Sequence, residues 1–302
     1  MRIGMIGLGK MGGNMARRLL RKDIEVVGYN RSAAVVETLQ TEVGLLPAAS
    51  LHDLVSQLST PRIVWLMLPA GSATEQAIHE LAGMLEAGDI VVDGGNANYH
   101  DSQHRAAFLA GHDVGFIDAG TSGGVWGLEN GYCMMVGGSE AAVAQLEPVL
   151  KALAPAEDRG WAHMGPVGAG HYTKMVHNGI EYGMMQAFAE GFDLMRSKAE
   201  FNLDLAKVAE TWRHASVVRS WLLDLTAEAL AQQPDMSDIA AIVPDSGEGR
   251  WTAIEAVEQG VPLPVISLAL QMRFASQDTD SYQGRILSVM RNAFGGHEVI
   301  KK

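Results

Sequence analysis

Arg2-Ile3-Gly4-Met5-Ile6-Gly7-Leu8-Gly9-Lys10-Met11-Gly12 decides how the first half of the chain is read. Residues 2–6 form a short apolar run that suits a buried strand, and the run meets glycine at residue 7. The spacing G-x-G-x-x-G follows, and then a helix-compatible segment that continues through Leu20. Between a strand and a helix, each glycine has a physical task. The first permits a tight turn, the second lets a pyrophosphate approach the backbone, and the third lets the helix pack close. The helix then aims its free N-terminal amides at the phosphates. Gly7, Leu8, Gly9, Lys10, Met11 and Gly12 are therefore expected to cradle a dinucleotide.

A second strand is expected over residues 24–29, and the residues after it decide which dinucleotide is bound. An acidic residue there would accept hydrogen bonds from the ribose hydroxyls of NAD. This chain instead has Asn30-Arg31-Ser32. Arg31 can pair with a 2′-phosphate and stack on adenine, whereas a carboxylate would repel that phosphate. The expected cofactor is NADP, with NAD the alternative.

Alternation continues, with strands expected over 63–68, 89–93, 115–119 and 132–136, and helices over 72–85 and 140–153. This is an α/β pattern, a doubly wound Rossmann sheet whose ligands collect at the carboxyl ends of the strands. Three glycine-bearing turns fall at such ends: Leu68-Pro69-Ala70-Gly71, Asp93-Gly94-Gly95-Asn96 and Gly120-Thr121-Ser122-Gly123-Gly124. They suit a floor for nicotinamide and substrate. After Gly165-Pro166-Val167-Gly168 the strand pattern stops, and long amphipathic segments cover 168–199, 203–233, 250–260 and 264–294. The expected organisation is a Rossmann domain over 1–165 and an all-helical domain over 166–302. Residues 234–249 form the longest irregular stretch and read as a functional loop.

With 302 residues, 47% hydrophobic and 19% charged, the composition suits a globular protein of two domains. A formal charge of −12 argues against nonspecific attachment to nucleic acid or to an anionic membrane. The single cysteine, Cys133, has no partner for an internal disulfide and suits a reducing compartment. Residues 1–6 are too short for a signal-peptide core, and no apolar run approaches a membrane span, so a cytoplasmic protein is expected. The histidines show no metal-ligand spacing such as H-E-x-x-H, and no metal is expected.

Residues 170–183, Gly-His-Tyr-Thr-Lys-Met-Val-His-Asn-Gly-Ile-Glu-Tyr-Gly, open a long helical segment. Lys174, His177, Asn178 and Glu181 recur at three-, four- and seven-residue spacing and so share a helix face. Charged helix faces are commonly just solvated. A base, two hydrogen-bonding groups and an acid on one rigid element nevertheless meet the needs of two proton transfers.

With these residues the chain resembles, over its whole length, the 6-phosphogluconate dehydrogenase family in its shorter-chain form. Val92-Asp93-Gly94-Gly95-Asn96 is similar to the family's D-G-G-N-S turn, with Ala97 where serine is common. Ser122-Gly123-Gly124 resembles its S-G-G substrate turn, and Lys174 to Tyr182 matches its catalytic helix nearly letter for letter. Arg291-Asn292-Ala293-Phe294-Gly295-Gly296-His297 resembles its R-x-x-F-G-x-H tail. The resemblance implies that Lys174 is the general base and Glu181 the general acid. It implies that Asn96, Ser122, Gly123, Gly124, His177, Asn178 and Tyr182 hold substrate, and that Arg273, Arg291 and His297 grip its phosphate. Asn96, with Leu68, Pro69 and Ala70, would also meet the cofactor. Longer members carry Lys and Thr in the loop matching Asp245 to Thr252, where this chain has Ser246 and Glu248. Those phosphate contacts are not carried over, and the second set of helices of longer members is lacking.

The implied reaction is the oxidative decarboxylation of 6-phosphogluconate to ribulose 5-phosphate. A lysine serves as base only when neutral, a form that burial or a cationic neighbour favours. The implied assembly is a homodimer or homotetramer in which Arg291 and His297 serve a neighbouring subunit's site. A β-hydroxyacid dehydrogenase of the 3-hydroxyisobutyrate or tartronate semialdehyde type is the alternative, since it shares the glycine turn and the lysine. A noncatalytic NADP-binding regulator is a further one, although such a protein would be expected to lose Lys174 or Glu181.

Overall fold

Residues 1–301 are described by a computed structural model. The chain forms two compact units, residues 1–177 and 178–302, which meet inside one long helix. The last strand of the sheet ends earlier, at Gly165.

The first unit is built on β1 (Arg2–Ile6), α1 (Lys10–Leu20), β2 (Glu25–Tyr29), α2 (Ala33–Val43), β3 (Leu46–Pro47) and α3 (Leu51–Ser56). It continues through β4 (Ile63–Leu66), α4 (Ser72–Ala82), β5 (Ile90–Asp93), α5 (Tyr99–Ala110) and β6 (Gly115–Ser122). It ends with α6 (Gly127–Asn130), β7 (Cys133–Gly137), α7 (Glu140–Leu153), β8 (Trp161–Gly165) and the start of α8 (Ala169–Ser197). The sheet order is β3-β2-β1-β4-β5-β6-β7-β8, parallel except for the antiparallel pair β6–β7. Successive strand residues point to opposite faces. Ile63 and Trp65 therefore join the layer of α1, α2 and α7, where Met15, Leu39 and Leu146 lie. Val64 and Leu66 join the layer of α3, α4 and α5 through Leu54, Ile78 and Leu109. A strand buried on both faces reads as a continuous apolar run, which is why these strands were legible.

Several boundaries differ from expectation. β4 stops at Leu66, two residues short, and α4 stops at Ala82, capped at Gly83. β6 runs on to Ser122, because its pairing with β7 continues through Ser122 opposite Cys133. Ser122 is thus the last strand residue, not part of a turn. α2, α3, α5 and the short strands β3 and β8 were not anticipated.

The second unit contains the remainder of α8, then α9 (Leu205–Trp212), α10 (Trp221–Gln232), α11 (Glu248–Gln259), α12 (Pro264–Gln277) and α13 (Tyr282–Gly295). The two long amphipathic segments over 203–233 and 264–294 are each split in two. Ser220 and Ser281 start new helices by accepting hydrogen bonds from the amides of Leu223 and Gly284. Phe192, Ala209, Leu223, Ala227 and Leu230 form one core, and Tyr182, Ala269 and Leu270 a smaller one. Ile180 and Met184 of α8 are exposed. Among the described residues, no helix is long and apolar enough to cross a membrane.

Candidate active site

A cavity of about 600 Å³ opens over the carboxyl ends of β1, β4 and β5. Gly7 turns the chain there at φ +91°, and a Cβ on it would lie 2.4 Å from the Met67 carbonyl oxygen. A Cβ on Gly12 would lie 2.0 Å from the Gly7 carbonyl oxygen, so α1 packs closely only because that atom is missing. Gly9 has nothing within 4 Å of its Cβ position and leaves open space in the cavity. These features fit a dinucleotide pyrophosphate at the start of α1.

Lys10, Met11, Asn30, Arg31, Leu68, Pro69 and Asn96 line the same cavity. Leu8, Ser32 and Ala70 do not: the Leu8 side chain is in the core, while its amide donates to Asn30 Oδ1 at 3.1 Å. Met67, Gln76 and Glu80 line it as well. Nothing in their local sequence separates them from ordinary strand-end and helix residues.

At the end of β5, Asp93 is buried, accepts the Gly95 amide at 3.1 Å, and pairs with buried Arg105 at 2.9 Å. Arg105 also reaches Glu75 at 3.0 Å. Burial lifts the Asp93 carboxyl above its ordinary range, against the pull of His171, Arg105 and the Gly95 amide. The arrangement holds the turn that presents Asn96, and Ala97 beside it is packed inside. One strand over, Asp118 Oδ1 accepts the Gly168 amide at 2.7 Å, and its Oδ2 accepts the His171 amide at 2.8 Å. His171 Nδ1 lies 2.7 Å from Ser102 Oγ. These partners place the start of α8 directly on the sheet.

Lys174 is buried, 5% exposed, and its Nζ lies 3.4 Å from His177 Nδ1. Its stem lies over Gly120, where a Cβ would stand 2.4 Å from Lys174 Cβ. Ser122 and Gly123 are half-buried at the end of the same strand, and Gly123 turns the chain at φ +127° towards exposed Gly124. The first unit thus contains the cavity-lining residues, Asn96 among them, together with the Ser122 turn, Lys174 and His177.

In the second unit, α8 carries half-buried Asn178 and Glu181 and buried Tyr182. The Tyr182 hydroxyl lies 3.0 Å from Ser246 Oγ and accepts the Ser246 amide at 3.3 Å. Arg273 stacks over the Tyr182 ring, 3.5 Å from its centroid. The loop that lacks the longer members' lysine and threonine therefore uses Ser246 to hold Tyr182. Glu248 is buried at the start of α11, and Arg250 pairs with Asp245. Arg291 and His297 stand exposed on and just after α13, which buries none of its 14 residues.

Asp118, His171, Ser102 and Arg105 were missed in the sequence. The signal for Asp118 was a charged residue in the otherwise apolar run Phe116-Ile117-Asp118-Ala119. A carboxylate persists at such a position only when hydrogen-bonded.

Comparison with known proteins bears on the whole chain. Residues 2–165 match the NAD binding domain of 6-phosphogluconate dehydrogenase, and residues 170–298 match the 6-phosphogluconate dehydrogenase C-terminal domain. An NAD(+)-dependent, decarboxylating 6-phosphogluconate dehydrogenase of Haloferax volcanii is 43% identical over 100% of this chain and 99% of its own. The Plasmodium falciparum 6-phosphogluconate dehydrogenase, solved in apo form and with NADP+ and 6-phosphogluconate, superposes with a TM-score of 0.85 at 30% identity. That alignment covers 100% of this chain and 66% of the longer Plasmodium protein. A 3-hydroxyisobutyrate dehydrogenase of Mycobacterium tuberculosis shares the fold alone, at 22% identity and a TM-score of 0.73 over 92% of this chain and 94% of its own. Two domain matches that follow one another along the chain, and a relative of equal length, lead to one conclusion: the chain belongs to the 6-phosphogluconate dehydrogenase family.

Proposed function

We propose that the chain oxidises and decarboxylates 6-phosphogluconate to ribulose 5-phosphate and CO₂, with NADP preferred to NAD. The observation that carries this reading is Lys174, buried on a helix seated at the strand ends and within 3.4 Å of His177. A nicotinamide dinucleotide, when bound, supplies the hydride acceptor. Lys174 takes the proton of the C3 hydroxyl as C3 is oxidised. Loss of CO₂ then moves electrons onto the C3 oxygen, and protonated Lys174 donates a hydrogen bond to the growing charge. Glu181, two helical turns further on, delivers a proton to C1 of the enediolate, which collapses to the ketone of ribulose 5-phosphate. Asn96, Ser122, Gly123, Gly124, His177, Asn178 and Tyr182 orient the sugar acid. Arg273, Arg291 and His297 bind its phosphate.

Arg31 supports the NADP preference, because it lines the dinucleotide cavity and is exposed to a 2′-phosphate. The relatives bracket this choice, one named for NAD(+) and one solved with NADP+. The functional division lies near Gly165, where the sheet ends. The assembly is a homodimer or homotetramer, since α13 presents Ile286, Leu287, Val289, Met290 and Phe294 without burying any of them. A phosphate site in a chain of charge −12 also gains from cations brought by a second copy. The single cysteine and the lack of a membrane-crossing helix among the described residues fit a cytoplasmic site of action.

The test is a substrate panel assayed by reduced-cofactor absorbance with NADP and with NAD. 6-Phosphogluconate with NADP is expected to give the highest kcat/KM. A higher value for 3-hydroxyisobutyrate or tartronate semialdehyde would overturn the reading.

A further inference from the structure

β6 carries Phe116, Ile117, Asp118 and Ala119 in sequence, all buried, so a carboxylate sits in the middle of the core. Its two oxygens are each engaged by a backbone amide at the start of α8, those of Gly168 and His171. Amides there have no partner within their own helix, and a neighbouring side chain usually caps them. Here the cap comes from a strand 50 and 53 residues away. The bond pair therefore fixes where a long helix begins, rather than only satisfying its end.

Residues 118 and 120 fall on one face of β6, because side chains alternate along a strand. Asp118 grips the helix start from that face, and Gly120 on the same face leaves the gap that the Lys174 stem fills. A Cβ on Gly170 would lie 2.4 Å from the Asp118 carbonyl oxygen and 2.5 Å from that of Met135, so backbone meets backbone here. The neighbouring strand repeats the device. Asp93, in register with Asp118, holds the turn that leads to Asn96.

We infer that Asp118 is a positioning residue for the reaction: through the Gly168 and His171 amides it sets the place of Lys174 against β6. This rests on the reading of Lys174 as the general base. A shift of about 1 Å in a reacting group costs on the order of a hundredfold in rate, so loosening this grip acts on the chemical step.

The experiment compares wild type, Asp118→Asn and Gly120→Ala. Asp118→Asn keeps the shape but offers an NH₂ group to one of the two amides. Gly120→Ala leaves both accepting oxygens in place and pushes on the Lys174 stem and on the Gly170 carbonyl beside it. For each variant, kcat, KM, cofactor Kd and the deuterium isotope effect with 3-deuterated 6-phosphogluconate are measured, with circular dichroism as the check of fold. Both variants are expected to lose tenfold or more in kcat, keep cofactor Kd within about twofold, and show a larger isotope effect. A purely structural role would lower the folded fraction but leave the isotope effect of the folded enzyme unchanged. Either variant, if folded with kcat within twofold of wild type and the same isotope effect, overturns the inference. Should Asp118→Asn not fold, Asp118→Glu, which keeps both accepting oxygens on a longer stem, takes its place under the same criteria. A wild-type chain inactive on 6-phosphogluconate would instead fail the functional reading, so the two failures are told apart.

Discussion

Lys174 and Arg31 are the two residues whose chemistry is most exposed to test. Lys174→Ala removes the proposed base and leaves the dinucleotide cavity untouched, because Lys174 is not among its lining residues. The expected outcome is loss of all but a few per cent of turnover, with NADP affinity retained when followed by fluorescence titration. Substantial residual turnover would assign the base to another group. Arg31→Asp is expected to shift preference towards NAD. A charge-assisted contact is worth about 1.5–3 kcal/mol, so NADP affinity should fall at least about tenfold, and repulsion adds to this. The ratio of kcat/KM for the two cofactors reads this directly, and an unchanged ratio would place Arg31 away from the ribose.

The elements that were legible in the sequence were those with a period or a glycine signature. β1, α1, α7 and α8 lie within two residues of where the apolar pattern and the turn residues put them. The short helix α3 and the two-residue strand β3 carry too few residues to show a period. The breaks before α10 and α13 rest on single serine caps inside long amphipathic stretches, which periodicity cannot see. The residues proposed for the site on α8 stand out in the sequence because they share a spacing, whereas the groups that hold the start of that helix do not. Arg105 looks like any helix arginine until the fold brings it to Asp93, and the two are only 2% and 1% exposed. That pair yields an element-scale expectation. Arg105→Met leaves Asp93 buried without its ion-pair partner, held only by the Gly95 amide and the nearby His171, which should destabilise the fold by up to about 3–5 kcal/mol. Adding Asp93→Asn should recover part of the loss, since contacting partners couple. Chemical denaturation of the wild type, both single variants and the double variant measures this, and strict additivity would mean that the two groups do not interact.

At the scale of the whole molecule, the proposal that copies share sites rests on the unburied α13 with its Arg291, and on His297 just after it. Lys174→Ala and Arg291→Ala chains, each inactive alone, are expected to regain activity when mixed and allowed to exchange, because a hybrid assembly rebuilds one intact site. Exchange shown by native mass spectrometry without recovered activity would place the tail in its own chain's site. The central claim concerns the reaction itself, in which oxidation at C3, loss of C1 as CO₂ and protonation of the new C1 occur on one chain. It is tested most directly by turning over 6-phosphogluconate labelled with ¹³C at C1 in deuterated water. The account expects the label in CO₂ in a one-to-one ratio with reduced cofactor, and one solvent deuterium at C1 of ribulose 5-phosphate. Reduced cofactor formed while the label stays in an oxidised sugar acid would contradict it.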